Sequence, residues 1–270
     1  MQKRGLILVI VLLLIVGAFS IYYYNNQKIK NEESYNSKGW KLYKQGKYDD
    51  AISEFKRYIE KNNNNFYAHS GLAWSFFRKN IYDEAVESFK TAINLNPNND
   101  DFYRGLGWSY FYLSNYKDST EAFNKAIQLN PSNYDSYDGL GISYHLLSFT
   151  EEHWKESYKE WLKNFNSSKE AFERSIQLNP KNSHSYVGIG YLYQNKARSS
   201  KSLSDYEISK NSFKKALELD DTLAIAYRGL GWTEFWISNK QPFTLRNYSL
   251  IKSLFEKSIN LEPEHYGYEG

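Results

Sequence analysis

The sequence predicts an all-α solenoid of about six stacked helical hairpins, some of them expanded, preceded by one transmembrane helix. Three observations predict it. The phrases AINLNPNN (92–99), AIQLNPSN (126–133) and SIQLNPKN (175–182) recur, with echoes in ALELDDTL (216–223) and SINLEPEH (258–265). A second phrase lies upstream of each: GLAWSFF, GLGWSYF, GLGISYH, GIGYLYQ and GLGWTEF, beginning at Gly71, Gly105, Gly139, Gly188 and Gly229. Self-similarity at a fixed period is the signature of stacked supersecondary units. Third, the chain opens with an apolar run whose flanks differ from everything after it.

That run, Leu6 to Ile21, reads LILVIVLLLIVGAFSI without a charge and is followed by Tyr22, Tyr23 and Tyr24. With its tyrosines it reaches about 20 residues, enough to cross a hydrocarbon core about 30 Å thick. Tyrosine rings suit the headgroup level, and Lys3 and Arg4 in front of the run keep the N-terminus on the cytoplasmic side. Lys28 and Lys30 follow it and partly offset that asymmetry. A cleavable signal peptide is the competing reading, because Val16-Gly17-Ala18 and Ala18-Phe19-Ser20 carry small or tolerated residues at peptidase positions. The length of the run and its tyrosine belt favour a retained anchor. Both readings place the rest of the chain outside the cytoplasm. The organisation expected is an anchor or uncleaved signal over 1–24, a linker over 25–31, the array over 32–265 and a tail over 266–270.

Composition bounds the rest. Hydrophobic residues make up 41% and charged residues 24%, so the chain can bury a core and is not disordered. The net charge is only +3, and two of those charges precede the membrane segment. Nucleic-acid binding needs a basic patch, which this balance opposes. No cysteine is present, excluding disulfides, thiolate catalysis, Cys-ligated metals and a lipoprotein anchor. Aromatics reach 18%, far more ring surface than a minimal core requires.

Each hairpin follows from local patterns. Ala85, Phe89, Ala92 and Ile93 fall at i, i+4, i+7, i+8, one stripe of a helix. Asn96-Pro97 ends it, since proline disfavours helix in the residue before it. The Asn and Asp residues of NPNNDD supply caps for the next helix. Tyr103, Leu106, Gly107 and Tyr110 form the stripe of the other helix. Glycine is unfavourable in an isolated helix, so its repetition implies close helix packing. Phe55, Phe89, Phe123, Phe172, Phe213 and Phe255 mark one fixed place, at steps of 34, 34, 49, 41 and 42 residues.

These residues resemble the tetratricopeptide repeat, a 34-residue pattern of an aromatic, Leu-Gly, Tyr, Ala, Phe, Ala and Pro. Tyr103, Leu106, Gly107, Tyr110, Phe123, Ala126 and Pro131 fill it, with Ser119 at one alanine place. The expected units are 32–65, 66–99, 100–133, 134–182, 183–223 and 224–265. The resemblance implies that the first helix of each unit lines a concave groove. One lining row is Trp40, Trp74, Trp108, Ile142, Tyr191 and Trp232, and a second is Tyr43, Phe77, Phe111, His145, Gln194 and Phe235. Further lining places hold Arg78, Arg104, Tyr112, Arg228 and Trp236. The candidate partner-binding residues are therefore Trp40, Trp74, Phe77, Arg78, Arg104, Trp108, Phe111, Tyr112, Tyr191, Arg228, Trp232, Phe235 and Trp236. Tryptophan, tyrosine and arginine dominate binding hot spots. The implied function is a membrane-tethered scaffold whose groove holds a peptide segment of a protein partner. Binding of an extracytoplasmic glycan by the aromatic ladder is the alternative. Packing of the rings between adjacent first helices is the purely structural one.

The last three units are longer than the norm, always between the two signature phrases. In unit four Trp154, Tyr158, Trp161 and Phe165 fall at helical spacing, predicting a lengthened helix with an aromatic face. The unit-five insert, NKARSSKSLSD, has no such face and predicts a polar loop. Pro242 should break or start a helix in unit six. No polar capping helix follows Pro263, which leaves self-association through the C-terminal end open. The histidines form no HExxH or comparable metal spacing, and no GxSxG or phosphate loop occurs, so no catalytic, cofactor or metal site is expected.

Overall fold

The computed structural model describes residues 38–148, 158–242 and 246–262. The predicted membrane helix, the linker, Trp154 and the tail lie outside the described residues. Within them the chain forms twelve α-helices and no strand, and no helix is long and apolar enough to cross a membrane. In chain order they are α1 (Lys38–Lys44), α2 (Tyr48–Lys61), α3 (Phe66–Arg78), α4 (Tyr82–Leu95), α5 (Asp100–Tyr112) and α6 (Tyr116–Leu129). Then follow α7 (Tyr134–Leu147), α8 (Tyr158–Leu178), α9 (Ser183–Ser200), α10 (Leu203–Leu219), α11 (Ala224–Ser238) and α12 (Tyr248–Leu261). They belong to two compact units that divide at Ser109.

Helix ends fall where the turn chemistry dictates. The Asn65 side chain accepts the Ala68 amide at 2.9 Å, and Asn133 accepts that of Ser136 at 3.2 Å. Each satisfies a backbone donor that a helix start leaves unpaired.

In the N-terminal unit, α1 packs on α2, α2 on α3, α3 on α4, and the first helices α1 and α3 touch directly. In the C-terminal unit, contacts run in sequence from α6 to α12, with α7 against α9 and α9 against α11. The recurring phenylalanines fill the core of the described hairpins. Phe55, Phe89, Phe123, Phe172 and Phe213 are each at most 2% exposed. Glycines make room for them from both sides. A Cβ built on Gly141 would stand 2.8 Å from the Phe172 ring, and one on Gly188, in the following hairpin, 2.3 Å. Gly190 and Gly229 flank Phe213 in the same way. The paired glycines of the Gly-Leu-Gly phrase therefore serve different junctions, one within a hairpin and one between consecutive hairpins. Phe255 has no following hairpin among the described residues and is partly exposed.

The expanded units answer the sequence expectations differently. α8 is described from Tyr158 onward, and Tyr158 stacks on Trp161 at 5.7 Å and Trp161 on Phe165 at 5.4 Å between ring centroids. This is the aromatic face expected of a lengthened helix, seen from residue 158 onward. The polar loop expected over NKARSSKSLSD does not form. That stretch extends α9 to Ser200 and starts α10 at Leu203, leaving two residues between them. The reason is a small satellite core, in which Ala197, Tyr206 and Ile237 are buried with Trp236 packed against them. Lys201 makes the turn with φ of 56°. Ser202 caps α10 through the Asp205 amide at 3.2 Å.

Candidate functional site

Several predicted lining residues of the N-terminal unit meet across its first helices: α1 touches α3, and Trp74 of α3 reaches Asp101 and Arg104 of α5. Trp74 and Arg78 lie one turn apart on α3, and Asp101 and Arg104 one turn apart on α5. The Trp74 Nε1–H donates to Asp101 Oδ2 at 2.9 Å. The other carboxylate oxygen accepts from Arg104 Nη2. The Arg104 guanidinium lies over the Trp74 indole, 5.0 Å from the ring centroid. The three side chains close a triangle in which each fixes the other two, a charge-assisted and cation–π arrangement. Asn99 anchors it by accepting the Asp101 amide at 3.0 Å.

Beside this triangle, Arg78 Nε donates to the Tyr48 hydroxyl at 3.1 Å and its guanidinium covers the Tyr48 ring. Holding Nε this way orients the fork of terminal amino groups. Tyr43 lies between, 5.4 Å from Trp40 and 5.6 Å from Tyr48. Burial raises the Tyr43 hydroxyl above its ordinary pKa of 10, and the positive charge of Arg78 works against that rise. Tyr48 was not among the residues the repeat pattern pointed to. It stands at the start of the second helix, outside the places the resemblance assigns to the groove.

The tryptophan row does two jobs. Trp40 meets Phe55 edge-on at 5.5 Å, and Trp74 meets Phe89 edge-on at 5.1 Å. One edge of each ring seals a core phenylalanine, and both rings stay partly exposed, as does Trp108. Phe77 packs between Trp74 and Tyr82 at 5.5 and 5.6 Å.

In the C-terminal unit the row changes character. Tyr191 meets Phe213 edge-on at 4.9 Å, but its hydroxyl is spent on the Ile225 carbonyl at 3.0 Å. Tyr191 and Ile225 hold the places that Trp74 and Asp101 hold in the triangle, so the triangle is not rebuilt around Arg228. Trp232, Phe235 and Trp236 form a chain of edge-on rings at 5.7 and 5.4 Å, with Trp232 45% exposed. Arg198 covers Trp236 at 5.8 Å. Phe111 and Tyr112 meet edge-on at 5.3 Å, with Tyr112 exposed.

His145 and Gln194, which continue the row of Phe77 and Phe235, are 7% and 6% exposed. The Gln194 amide donates to the Gly229 carbonyl at 2.9 Å and to Thr233 Oγ1 at 2.7 Å. Burial pulls the His145 imidazole down to about 4, and on the same helix burial pushes the Asp138 carboxyl up to about 6 against hydrogen bonding from Ser185. A cleft of about 590 Å³ between α6 and α8 is floored by Tyr137, Leu140 and Tyr144 and receives none of the candidate residues. Among the described residues, no cluster of three or more His, Asp or Glu is arranged to hold a metal ion.

Sequence profiles of the tetratricopeptide repeat match residues 37–100, 101–133, and 161–182 with 190–223, together more than half of the chain. No curated protein matches the sequence. Among solved structures, that of MamA is 26% identical and superposes with a TM-score of 0.56, covering 70% of this chain and 98% of its own. PilW, described as a widely conserved type IV pilus biogenesis factor, gives a TM-score of 0.64 at 15% identity, covering 84% of this chain and 91% of its own. YrrB, described as having an unusual peptide-binding site, gives 0.50 at 19% identity, covering 78% and 93%. The repeated phrases, the paired helices, the phenylalanine series between glycines and these matches lead to one assignment: the chain belongs to the tetratricopeptide repeat family.

Proposed function

We propose that this protein is a scaffold that captures a segment of a protein partner, held at a membrane by its N-terminal apolar helix with the array on the extracytoplasmic side. The Trp74–Asp101–Arg104 triangle carries the reading. Rings and a guanidinium fixed in advance at a partly exposed position suit binding, because preorganisation lowers the entropic cost of association. Trp74 and Arg104 are the residue types that dominate interface energetics. Tyr43, Tyr48 and Arg78 extend the patch with further rings and a second guanidinium. A peptide-binding site is described for YrrB, and this fold supports one here. No catalytic chemistry and no cofactor belong to this reading.

The glycan alternative needs flat ring faces open to a sugar. Arg104 already covers a face of Trp74, which weakens that alternative in the N-terminal unit. The experiment is crosslinking in native membranes, comparing wild type with Arg104→Ala and Trp108→Ala. Capture of a discrete protein should fall at least about tenfold with Arg104→Ala, the loss of one hot-spot contact. Far-UV circular dichroism should stay unchanged, since the ion pair lost is to Asp101 on the same helix and the Arg104 side chain is partly exposed. Equal capture by all three proteins would overturn the assignment of the patch. Absence of any protein partner, with tryptophan fluorescence quenched by oligosaccharides, would move the function to glycan binding.

A further inference from the structure

At the cleft between α6 and α8 the chain departs from its own repeat. Tyr137, Leu140 and Tyr144 of α7 form the floor, and Asn124 of α6 faces Ser167, Glu170 and Arg174 of α8. All three helices belong to the C-terminal unit. Elsewhere in that unit the rings at the same places are covered. Tyr227, two residues before Gly229 as Tyr137 is two before Gly139, lies under Lys257 at 4.5 Å. Tyr193, five residues after Gly188 as Tyr144 is five after Gly139, meets Phe165 edge-on at 5.6 Å and lies under Lys196 at 5.4 Å. Arg174 holds the place of Lys257, two residues after the core phenylalanine, but its Nη1 donates to Gln177 Oε1 at 3.1 Å. No ring and no cation among the described residues covers Tyr137 or Tyr144. The polar groups around them are equally unengaged. The side chains of Asn124, Tyr137, Tyr144, Ser167 and Glu170 make no hydrogen bond or ion pair with another described residue.

The chemistry of the lining selects the ligand. Glu173 at the rim pairs with Lys169 at 3.4 Å, which leaves one carboxylate, Glu170, and one guanidinium, Arg174. An anion would meet the first and a cation the second, so the cleft matches a neutral molecule. Amide and hydroxyl side chains both donate and accept, as each hydroxyl of a sugar does. The faces of aromatic rings carry negative π density, which attracts the C–H groups on the flat side of a pyranose. Tyr137 and Tyr144 are seven residues apart on one helix, about 10 Å along its axis, a separation that suits two linked sugar rings. The volume of about 590 Å³ lies within the range of small-molecule sites, about 300–1,000 Å³. An extended peptide is a poorer match. Leu140, 7% exposed, fills the floor between the rings and leaves no pocket for an anchoring side chain.

We propose that this cleft is a saccharide site: a neutral oligosaccharide lies along α7 with successive rings on Tyr137 and Tyr144, its hydroxyls held by Asn124, Ser167 and Glu170. The site shares no residue with the groove candidates and does not depend on protein capture there. It also differs from glycan binding by the tryptophan ladder, because no tryptophan lines the cleft.

Isothermal titration of the full chain with cellotetraose, maltotetraose and tetra-N-acetylchitotetraose tests this, in a detergent without a sugar headgroup. At least one of the three should bind saturably while tryptophan fluorescence stays unchanged. Tyr137→Ala should weaken that binding at least about tenfold, the loss of one stacked ring. Glu170→Ala should weaken it to a similar degree, the loss of hydrogen bonds to a charged acceptor. Glu170 is exposed, so its variant keeps the fold and serves if the tyrosine variant misfolds. Failure of all three sugars to bind, or unchanged affinity in either folded variant, would overturn the site. Capture of a protein by a photo-crosslinking side chain placed at Asn124, with no sugar bound, would overturn it in favour of a second peptide segment.

Discussion

Alanine in place of Phe172 is expected to cost about 3–5 kcal/mol, whereas alanine in place of Phe255 is expected to cost about 1–2 kcal/mol. The residues are the same by type and by place in the repeat, and the difference lies in their surroundings. Phe172 is 1% exposed and fills a slot walled by Gly141 and Gly188. Neither glycine has a side chain that can relax into the space, so the cavity stays open and its lining loses its contacts outright. Phe255 is partly exposed, and its slot is looser: a Cβ built on Gly231 would stand 3.1 Å from the ring. Water already reaches its ring, so less apolar surface is lost. Urea unfolding of each variant by far-UV circular dichroism checks the pair. The Phe172 variant should also melt in two steps, because stability in a repeat array is a sum over units and interfaces and this substitution cuts one interface. Equal losses for the two variants would mean that the glycine slots are not what holds consecutive hairpins together.

The contrast also marks how far the sequence could be read. The phenylalanine series and the two signature phrases were legible because each hairpin buries the same ring against the same small residues, so selection leaves the same letters at the same period. The tips were less legible. In the stretch read as a polar loop, Lys201, Ser202, Ser204 and Asp205 look like loop chemistry, and Ser209 and Lys210 continue the polar run just beyond it. Yet Ser209 is fully buried and bonds Thr233 at 3.1 Å. Between closely spaced helices a serine behaves as a small core residue whose hydroxyl is satisfied locally, and a polarity count scores it the wrong way. Tyr206, Ser209, Phe213 and Ala216 do fall at helical spacing once serine is counted as small rather than polar.

The candidate site divides along the same line. Repeat position located Trp74 and Arg104, since a first-helix place is a property of the unit. It did not reveal that Asp101 would bind both, nor that Tyr48 would orient Arg78, because these are contacts between successive helices. It placed His145 and Gln194 in a lining row that the structure turns inward. A histidine or glutamine there reads from sequence as a groove substituent, and its burial depends on the seam that receives it.

A β-carbon added at Gly188 should destabilise the protein by about 1–3 kcal/mol, against the expectation from helix propensity alone. Gly188 lies inside α9, where alanine is favoured over glycine by about 1 kcal/mol. Packing decides otherwise, because the new carbon would stand 2.3 Å from Phe172 Cζ, a distance the ring must retreat from. The ring has little room to retreat, since it is 1% exposed and the Gly141 backbone runs so close to its other side that a Cβ there would stand 2.8 Å away. At Gly231 the same change meets Phe255 at 3.1 Å, and that ring is free to tilt towards solvent. Gly188→Ala should therefore lower the urea midpoint while Gly231→Ala leaves it unchanged or raises it. Combining Gly188→Ala with Phe172→Leu should recover part of the loss, a coupling of about 0.5–3 kcal/mol for residues in direct contact. Stabilisation by Gly188→Ala would sink the argument, since propensity would then outweigh contact. Additivity in the double variant would place the cost of the alanine somewhere other than the phenylalanine ring.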